Sequence, residues 1–284
     1  MPGLGSDPQN PIGFAFDQLQ TDLEDQRLSI SLPTHTHEAS WSTATVRGQR
    51  LLFQNERQLD GVLIPQEVGS ADVGFSWTGV NASSEQTSAS VSVGTTGRRL
   101  FHEDNGRSLG ATVVTEKKDS PTTSWLYGLS YSNNRTVLNN IPIPIVARTW
   151  TAEKYKLVLG APFVFLLYKP MPLVMTVFGT PFGAGAESSY YVYGPLALYG
   201  SYGWQPRVFQ NLDPRDRNER FFYEKHQAGA GVRMALSAKS HVSIGYVYDF
   251  DRRLFMGRSL TNKRSDVVYL PNAGGFQLRA KLSF

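Results

Sequence analysis

The stretch Phe276-Gln277-Leu278-Arg279-Ala280-Lys281-Leu282-Ser283-Phe284 alternates without a break. Phe276, Leu278, Ala280, Leu282 and Phe284 are apolar, while Gln277, Arg279, Lys281 and Ser283 are polar. Side chains of a strand point to opposite faces with a period of two, so one face of this stretch is greasy and the other charged. A half-buried terminal strand of a soluble sandwich would read the same way, and the rest of the chain has to separate the two settings.

Composition narrows the choice. Charged residues make up 18% of the 284 positions, below the ~25% usual in soluble domains. Aromatic residues reach 12%, with 13 Tyr and 16 Phe, beside 26 Gly. Low charge with many aromatics and glycines suits a barrel whose outer surface faces lipid and whose interfaces carry aromatic girdles. No run of ~18 apolar residues occurs, which excludes a transmembrane helix but not a barrel, whose signal is spread over ~10-residue alternating segments. The chain has no cysteine, so disulfides, thiol nucleophiles and cysteine zinc sites are absent. A net charge of +4 is too small and too scattered for nucleic acid. The opening residues Met1 to Asp7 carry no basic and apolar export signal; for an exported chain this implies a mature form with an added or retained Met.

Residues 1–39 are expected to form an N-terminal periplasmic leader or plug, and 40–284 a transmembrane β-barrel. Alternating segments follow one another from residue 40. Residues 40–53 read as a strand; Val73, Phe75 and Trp77 then oppose Asp72, Gly74, Ser76 and Thr78. In 86–97, Thr87, Ala89, Val91 and Val93 oppose small polar partners. Strands are predicted at about 109–117 and 122–132. Two more are predicted within 154–179, with a turn near 164–172, where Pro162, Pro170 and Pro172 interrupt the pattern. Residues 187–205 put Leu196, Leu198, Tyr202 and Trp204 in phase, and Ala228 to Leu236 and Val242 to Phe250 alternate in turn. Long polar links (54–70, 98–108, 206–220, 253–274) alternate with short ones (81–85, 118–123, 237–240). That asymmetry is the mark of outer-membrane barrels, with short periplasmic turns and long external loops. If both ends lie in the periplasm, the strand count is even. The fold class predicted is all-β: an up-and-down antiparallel barrel of about 12 strands, with 10 or 14 as alternatives.

The terminal stretch resembles the closing strand of bacterial outer-membrane barrels, whose assembly machinery reads a C-terminal aromatic and the apolar residues before it. That resemblance marks Phe276, Leu278, Leu282 and Phe284 as a membrane-insertion signal. Four further stretches extend the likeness: Asn139-Asn140-Ile141-Pro142-Ile143-Pro144, Leu159-Gly160-Ala161-Pro162-Phe163, Glu219-Arg220-Phe221-Phe222-Tyr223-Glu224, and Gly245-Tyr246 with Phe250-Asp251-Arg252-Arg253. Together they resemble an uncharacterised, porin-like family of bacterial outer-membrane barrels over about residues 70–284. The resemblance implies a fold and an outer-membrane location, and no catalytic positions.

No Gly-x-Ser-x-Gly elbow, His-Glu-x-x-His or phosphate-binding Gly-Lys-Ser/Thr loop is present, so no enzyme is expected. His35-Thr36-His37-Glu38 lacks further ligands at zinc spacing and reads as a solvated turn. His226, beside Glu224 and Lys225, either faces the lumen or sits at the rim. Arg233, Asp249, Arg279 and Lys281 lie opposite the lipid-facing phase. In hydrocarbon each charge would cost ~2–4 kcal/mol, so they are expected to face the lumen. With Asp249 as the counter-charge on that wall, an open pore would be weakly anion-selective. The function expected is a passive channel or small-solute-binding, porin-like barrel. The alternatives are a structural or adhesive barrel acting through its outer loops, and a barrel-embedded hydrolase of lipid or lipopolysaccharide. No cofactor is expected. The partners expected are outer-membrane lipid and lipopolysaccharide, the barrel-assembly machinery and small solutes.

Overall fold

The alternating segments all become strands, because each has one face to bury against an apolar phase and none has the period of a helix. A computed structural model describes residues 12–17, 23–37, 39–53, 57–59, 62–64, 66–81, 83, 85–97, 106–210, 219–237, 240–263 and 265–282. In chain order the strands are β1 (Ile12–Asp17), β2 (Leu23–His37), β3 (Ser40–Phe53), β4 (Arg57–Leu59), β5 (Val62–Ile64), β6 (Glu67–Val80) and β7 (Gln86–Gly97). Then come β8 (Arg107–Lys118), β9 (Thr123–Ser132), β10 (Ile143–Thr151), β11 (Tyr155–Ala161), β12 (Val164–Tyr168), β13 (Leu173–Thr180) and β14 (Gly183–Tyr193). The last are β15 (Leu196–Gln210), β16 (Arg220–Ala235), β17 (His241–Ser259), β18 (Asn262–Lys263), β19 (Val268–Leu270) and β20 (Ala273–Leu282).

One 18-stranded sheet holds all but the β4–β5 hairpin. Successive wall strands pair antiparallel from β2 through β17, and β17 pairs on with β20. The ladder returns on itself through β1, which pairs with β2 on one edge and with β20 on the other. Leaving aside β18 and β19, short pieces of the last loop, sixteen strands form the wall. The fold is thus an antiparallel up-and-down barrel, as expected, with a higher strand count.

Two places account for the difference. Leu23–His37 pairs with β3 along its length, Leu23 facing Phe53 and His37 facing Ser40. The boundary expected at 39/40 is therefore crossed by the ladder, which takes in residues 12–17 and 23–37; leader residues 1–11, 18–22 and 38 lie outside the described residues. The region 154–179 contains three strands rather than two. Pro162 and Phe163 turn β11 into β12, so the run Tyr155 to Leu167 is not one phase. Leu157 and Leu159 face outward, and Phe165 and Leu167 face inward after the turn.

The outer face carries the large apolar residues. Val73, Phe75, Trp77, Val91, Val93, Tyr127, Leu129, Leu198, Ile244, Tyr246, Phe276 and Leu278 are all exposed. A barrel with such a face has to bury it in hydrocarbon, since every one of these side chains in water would forfeit about 1.5–3 kcal/mol. This is a transmembrane barrel of the bacterial outer-membrane type. Strand ends divide the links into two sets. By the strand ends, the β6–β7, β8–β9, β10–β11, β12–β13, β14–β15 and β16–β17 links belong to one end, and the β3–β6, β7–β8, β9–β10, β15–β16 and β17–β20 links to the other. The second set is the long one, apart from the tight turns at 162–163 and 181–182.

Candidate functional site: the lumen and its closed outer end

The inward phase of β15 to β17 is set by their mutual register and by one bulge. Between Glu224 and His226 the β16–β17 register slips, and Asp251 takes up a φ of 49°. Asp tolerates that left-handed conformation better than most residues. The slip lets both Asp249 and Arg252 point into the barrel, where strict alternation would send Arg252 outward.

At the long-loop end the inward residues are apolar and meet across the lumen. Leu51 and Phe53 of β3, Val68 of β6, Phe209 of β15 and Phe221 of β16 join Leu254 and Met256 of β17 in one buried cluster. Ile64 of the β4–β5 hairpin and Leu270 of β19 pack onto it. The rings of Phe53 and Phe221 meet edge-on at 6.2 Å, and those of Phe209 and Phe221 lie 6.1 Å apart. β3 and β16 are separated around the ladder by β2, β1, β20 and β17, so the Phe53–Phe221 contact bridges the lumen. Among the described residues an apolar plug spans the long-loop end, with aromatic edge contacts contributing ~0.5–1.5 kcal/mol each beyond their burial.

Directly beneath it lies a buried ion pair. Lys225 Nζ donates to Asp249 Oδ2 at 2.5 Å, with both side chains at 0% exposure, and Gln227 Nε2 donates to Asp249 Oδ1 at 2.8 Å. Beside them Arg252, 1% exposed, donates from Nε to the Tyr223 hydroxyl at 3.2 Å and from Nη1 to the Pro271 carbonyl at 2.8 Å. Towards the short-turn end the inner wall becomes polar. Arg233 Nη1 donates to Glu187 Oε1 at 2.7 Å and to Ser189 Oγ at 3.1 Å, and its guanidinium lies 5.0 Å from the Tyr199 ring centre. Across β6 to β9, Thr78–Ser88 and Thr112–Ser130 hydroxyl pairs and a Ser124–Glu116 bond line the same face.

The expected lumen residues fall out unevenly. Asp249 and Arg233 point inward, and Arg279 shares that face through its pairing with Ser243. The Lys281 backbone pairs with His241, while its side chain lies outside the described residues. Asp249 is not the counter-charge to a row of free cations: Lys225 saturates it, and Glu187 pairs Arg233. Neither Lys225 nor Glu187 was singled out, although Lys225 shares the period-two phase of Gln227 and Arg233. Of the expected insertion signal, Phe276 and Leu278 are exposed on the outer face. Leu282 pairs with Ile12 through the backbone, and Phe284 lies outside the described residues.

His226 faces outward rather than into the lumen, because it belongs to the phase of Ala228, Ala230 and Val232. Its Nδ1 is 2.7 Å from the Tyr202 hydroxyl, its ring stacks 5.6 Å from Phe250, and its Nε2 lies 3.8 Å from Asp251 Oδ2. Asp251 is held in turn by a two-pronged contact from Arg253, and Trp204 Nε1 donates to Glu224 Oε1 at 2.7 Å. This belt of aromatic rings with polar tips belongs at a membrane interface.

At the opposite end, Arg148 reaches from the outer face to Asp119 at 2.6 Å and lies 4.8 Å from the Trp125 ring centre. The Thr123 hydroxyl, aided by Arg148, holds the Asp119 carboxyl below its ordinary 3.8. A depressed folded pKa contributes stability above the unfolded value and loses it as pH falls through the folded one. The stability difference between wild type and Asp119→Asn should therefore be constant above about pH 5 and vanish as the pH drops below 3.8. Urea unfolding in vesicles across that range checks it, and a difference that grows on acidification would contradict the assignment.

No family model and no curated protein matches the chain. Among solved structures it is similar to the β domain of the Bordetella autotransporter Brka, at 13% identity and a TM-score of 0.36, covering 98% of this chain and 100% of that one. The trimer form of OmpT, an outer membrane protein of Vibrio cholerae, gives 12% identity and a TM-score of 0.30, covering 96% and 100%. The outer membrane protease OmpT of Escherichia coli gives 10% identity and a TM-score of 0.20, covering 99% of each chain.

Proposed function

We propose that this protein is a small-solute-binding, porin-like barrel of the outer membrane whose route through the lumen is held shut at the external end. The observation that carries the reading is the apolar contact of Phe53 with Phe221 across the lumen, seated on the buried Lys225–Asp249 pair. The inner wall below the plug has the character of a solute site: hydroxyls on β6 to β9 share the lumen face with the Arg233–Glu187 pair on β14 and β16. Small hydroxyls leave room for water, and a fixed ion pair with spare lone pairs and N–H groups offers a polar solute both signs of charge.

In planar bilayers the wild-type protein is expected to insert without steady conductance. Phe221→Ser combined with Leu254→Ser empties the centre of the plug and should give stable open channels. Since Arg233 is neutralised by Glu187, those channels should be close to non-selective, and Glu187→Gln should make them anion-selective, most strongly at low salt. Steady conductance of the wild type at low voltage would overturn the closed reading. A plug variant that folds and still does not conduct would show that the lumen is blocked elsewhere.

A further inference from the structure

The barrel wall is not of even height. Tyr155, Tyr168 and Tyr190 face outward beside the short turns, and Tyr155 pairs directly with Tyr168, which sets the lower edge of the lipid-facing wall. Above that edge β12 has 5 residues, β11 has 7 and β13 has 8, against 15 in β15, 16 in β16 and 19 in β17. Five residues span about 17 Å along a strand, or about 13 Å along the axis of a barrel tilted by ~40°. The apolar band of such barrels is ~25 Å tall. At β12 the wall therefore stops about halfway up the hydrocarbon, leaving a notch between β10 and β15.

The inner face beside the notch differs from the rest of the lumen. Val158, Phe165, Leu167, Val174 and Phe178 occupy the inward phase of β11 to β13, with Lys156 and Thr176 level with Leu167 on the same phase and the apolar rings nearer the notch. Phe178 lies over Gly185, where even a Cβ would come within 2.7 Å of its ring. It points into the barrel and yet keeps 47% exposure. Above the notch the 133–142 loop runs as a lintel from β9 to the far side. Arg135 lies 5.6 Å from the ring centre of Phe182 in the β13–β14 turn, Gln210 donates to the Asn133 carbonyl at 2.8 Å, and the Leu260 amide donates to the Thr136 carbonyl at 2.8 Å.

We propose that this notch is a lateral binding site for one acyl chain of a membrane lipid, entering from the surrounding leaflet. The occupant follows from position: the opening is continuous with the lipid-facing wall at hydrocarbon depth, and what it exposes on the inside is a hydrocarbon-lined face. A chain passing under the lintel covers Phe165 and Phe178, which otherwise meet water on the lumen side. The site does not depend on whether the axial route is open.

The test uses photo-crosslinking in dioleoyl phosphatidylcholine vesicles, with p-benzoylphenylalanine placed singly at Phe178, at Val177 and at Thr45. Val177 faces lipid on the same strand, and Thr45 of β3 faces the lumen about half-way round the ladder from β12. Lipid adducts, read by mass spectrometry, are expected at 177 and 178 and not at 45. Adducts at 177 alone would mean that the inner face is sealed from the bilayer, and adducts at all three would mean an unselective lipid-filled lumen; either overturns the site. In detergent, the folded protein should also bind cis-parinaric acid, and Phe165→Asp with Phe178→Asp should weaken that binding by about tenfold or more. Unchanged binding by a folded double variant would overturn it equally. The crosslinking arm keeps an aromatic side chain at 178 and so does not depend on the Asp variant folding.

Discussion

Replacing Lys225 by Met is expected to destabilise the folded barrel by about 3–5 kcal/mol, because it strands the Asp249 carboxylate with no cation in a fully buried site. Asp249 has 0% side-chain exposure, and its remaining side-chain bond comes from Gln227. Removing both charges is a different experiment. Lys225→Met with Asp249→Leu leaves no uncompensated charge and should recover most of the loss, since apolar replacements of a buried pair are often neutral or stabilising. Urea unfolding in vesicles of the two single variants and the double variant gives the coupling directly. If the single and double variants cost the same, the two groups do not hold each other.

The second large effect concerns the outer face. Tyr246→Arg and Leu278→Arg should each cost about 2–4 kcal/mol if near the bilayer midplane, because both side chains face hydrocarbon. The inward control has to be chosen with care. Ser243 shares the lumen phase but is 2% exposed beside Arg279, so Ser243→Arg is expected to be costly for lack of space and for like charge. Ser90, on the inward phase of β7 and exposed, is the better site, and Ser90→Arg should cost little. Equal tolerance at Tyr246, Leu278 and Ser90 would mean that the two faces are misassigned.

Much of this was legible from alternation alone. The alternation read for β6, β7, β15, β16, β17 and β20 matches the outward faces of the barrel, because each is long and keeps one period over the stretch read. The misses have physical causes. β2 contains Pro33, a register shift between Pro33 and His35 breaks its alternation, and so a strand that pairs with β3 from Leu23 to His37 read as leader. In β11 to β13 both faces are apolar, and two tight proline turns preserve an apparent period across a change of direction; a notch lined with hydrocarbon hides the signal that marks a strand boundary. His226 was left between lumen and rim because its charged neighbours were weighed rather than the phase of Ala228 to Met234, which sends it outward. The plug was invisible for another reason. Phe53, Phe209, Phe221 and Leu254 come from four strands, and only the closure of the ladder brings them together.

Below its bulge, from His241 to Phe250, β17 forms part of the wall of a membrane barrel, with even positions in lipid and odd positions inside. Single spin labels at residues 242 to 249, in protein refolded into vesicles, test it most directly. Ile244, Tyr246 and Tyr248 are exposed on the outer face, while Ser243, Val247 and Asp249 are buried within. Collision with dissolved oxygen, which concentrates in hydrocarbon, should be high at the even positions and low at the odd ones, in strict alternation. Loss of the period of two, or the same period with its phase reversed, would contradict the barrel and the inside–outside assignment on which the plug, the ion pair and the notch all rest.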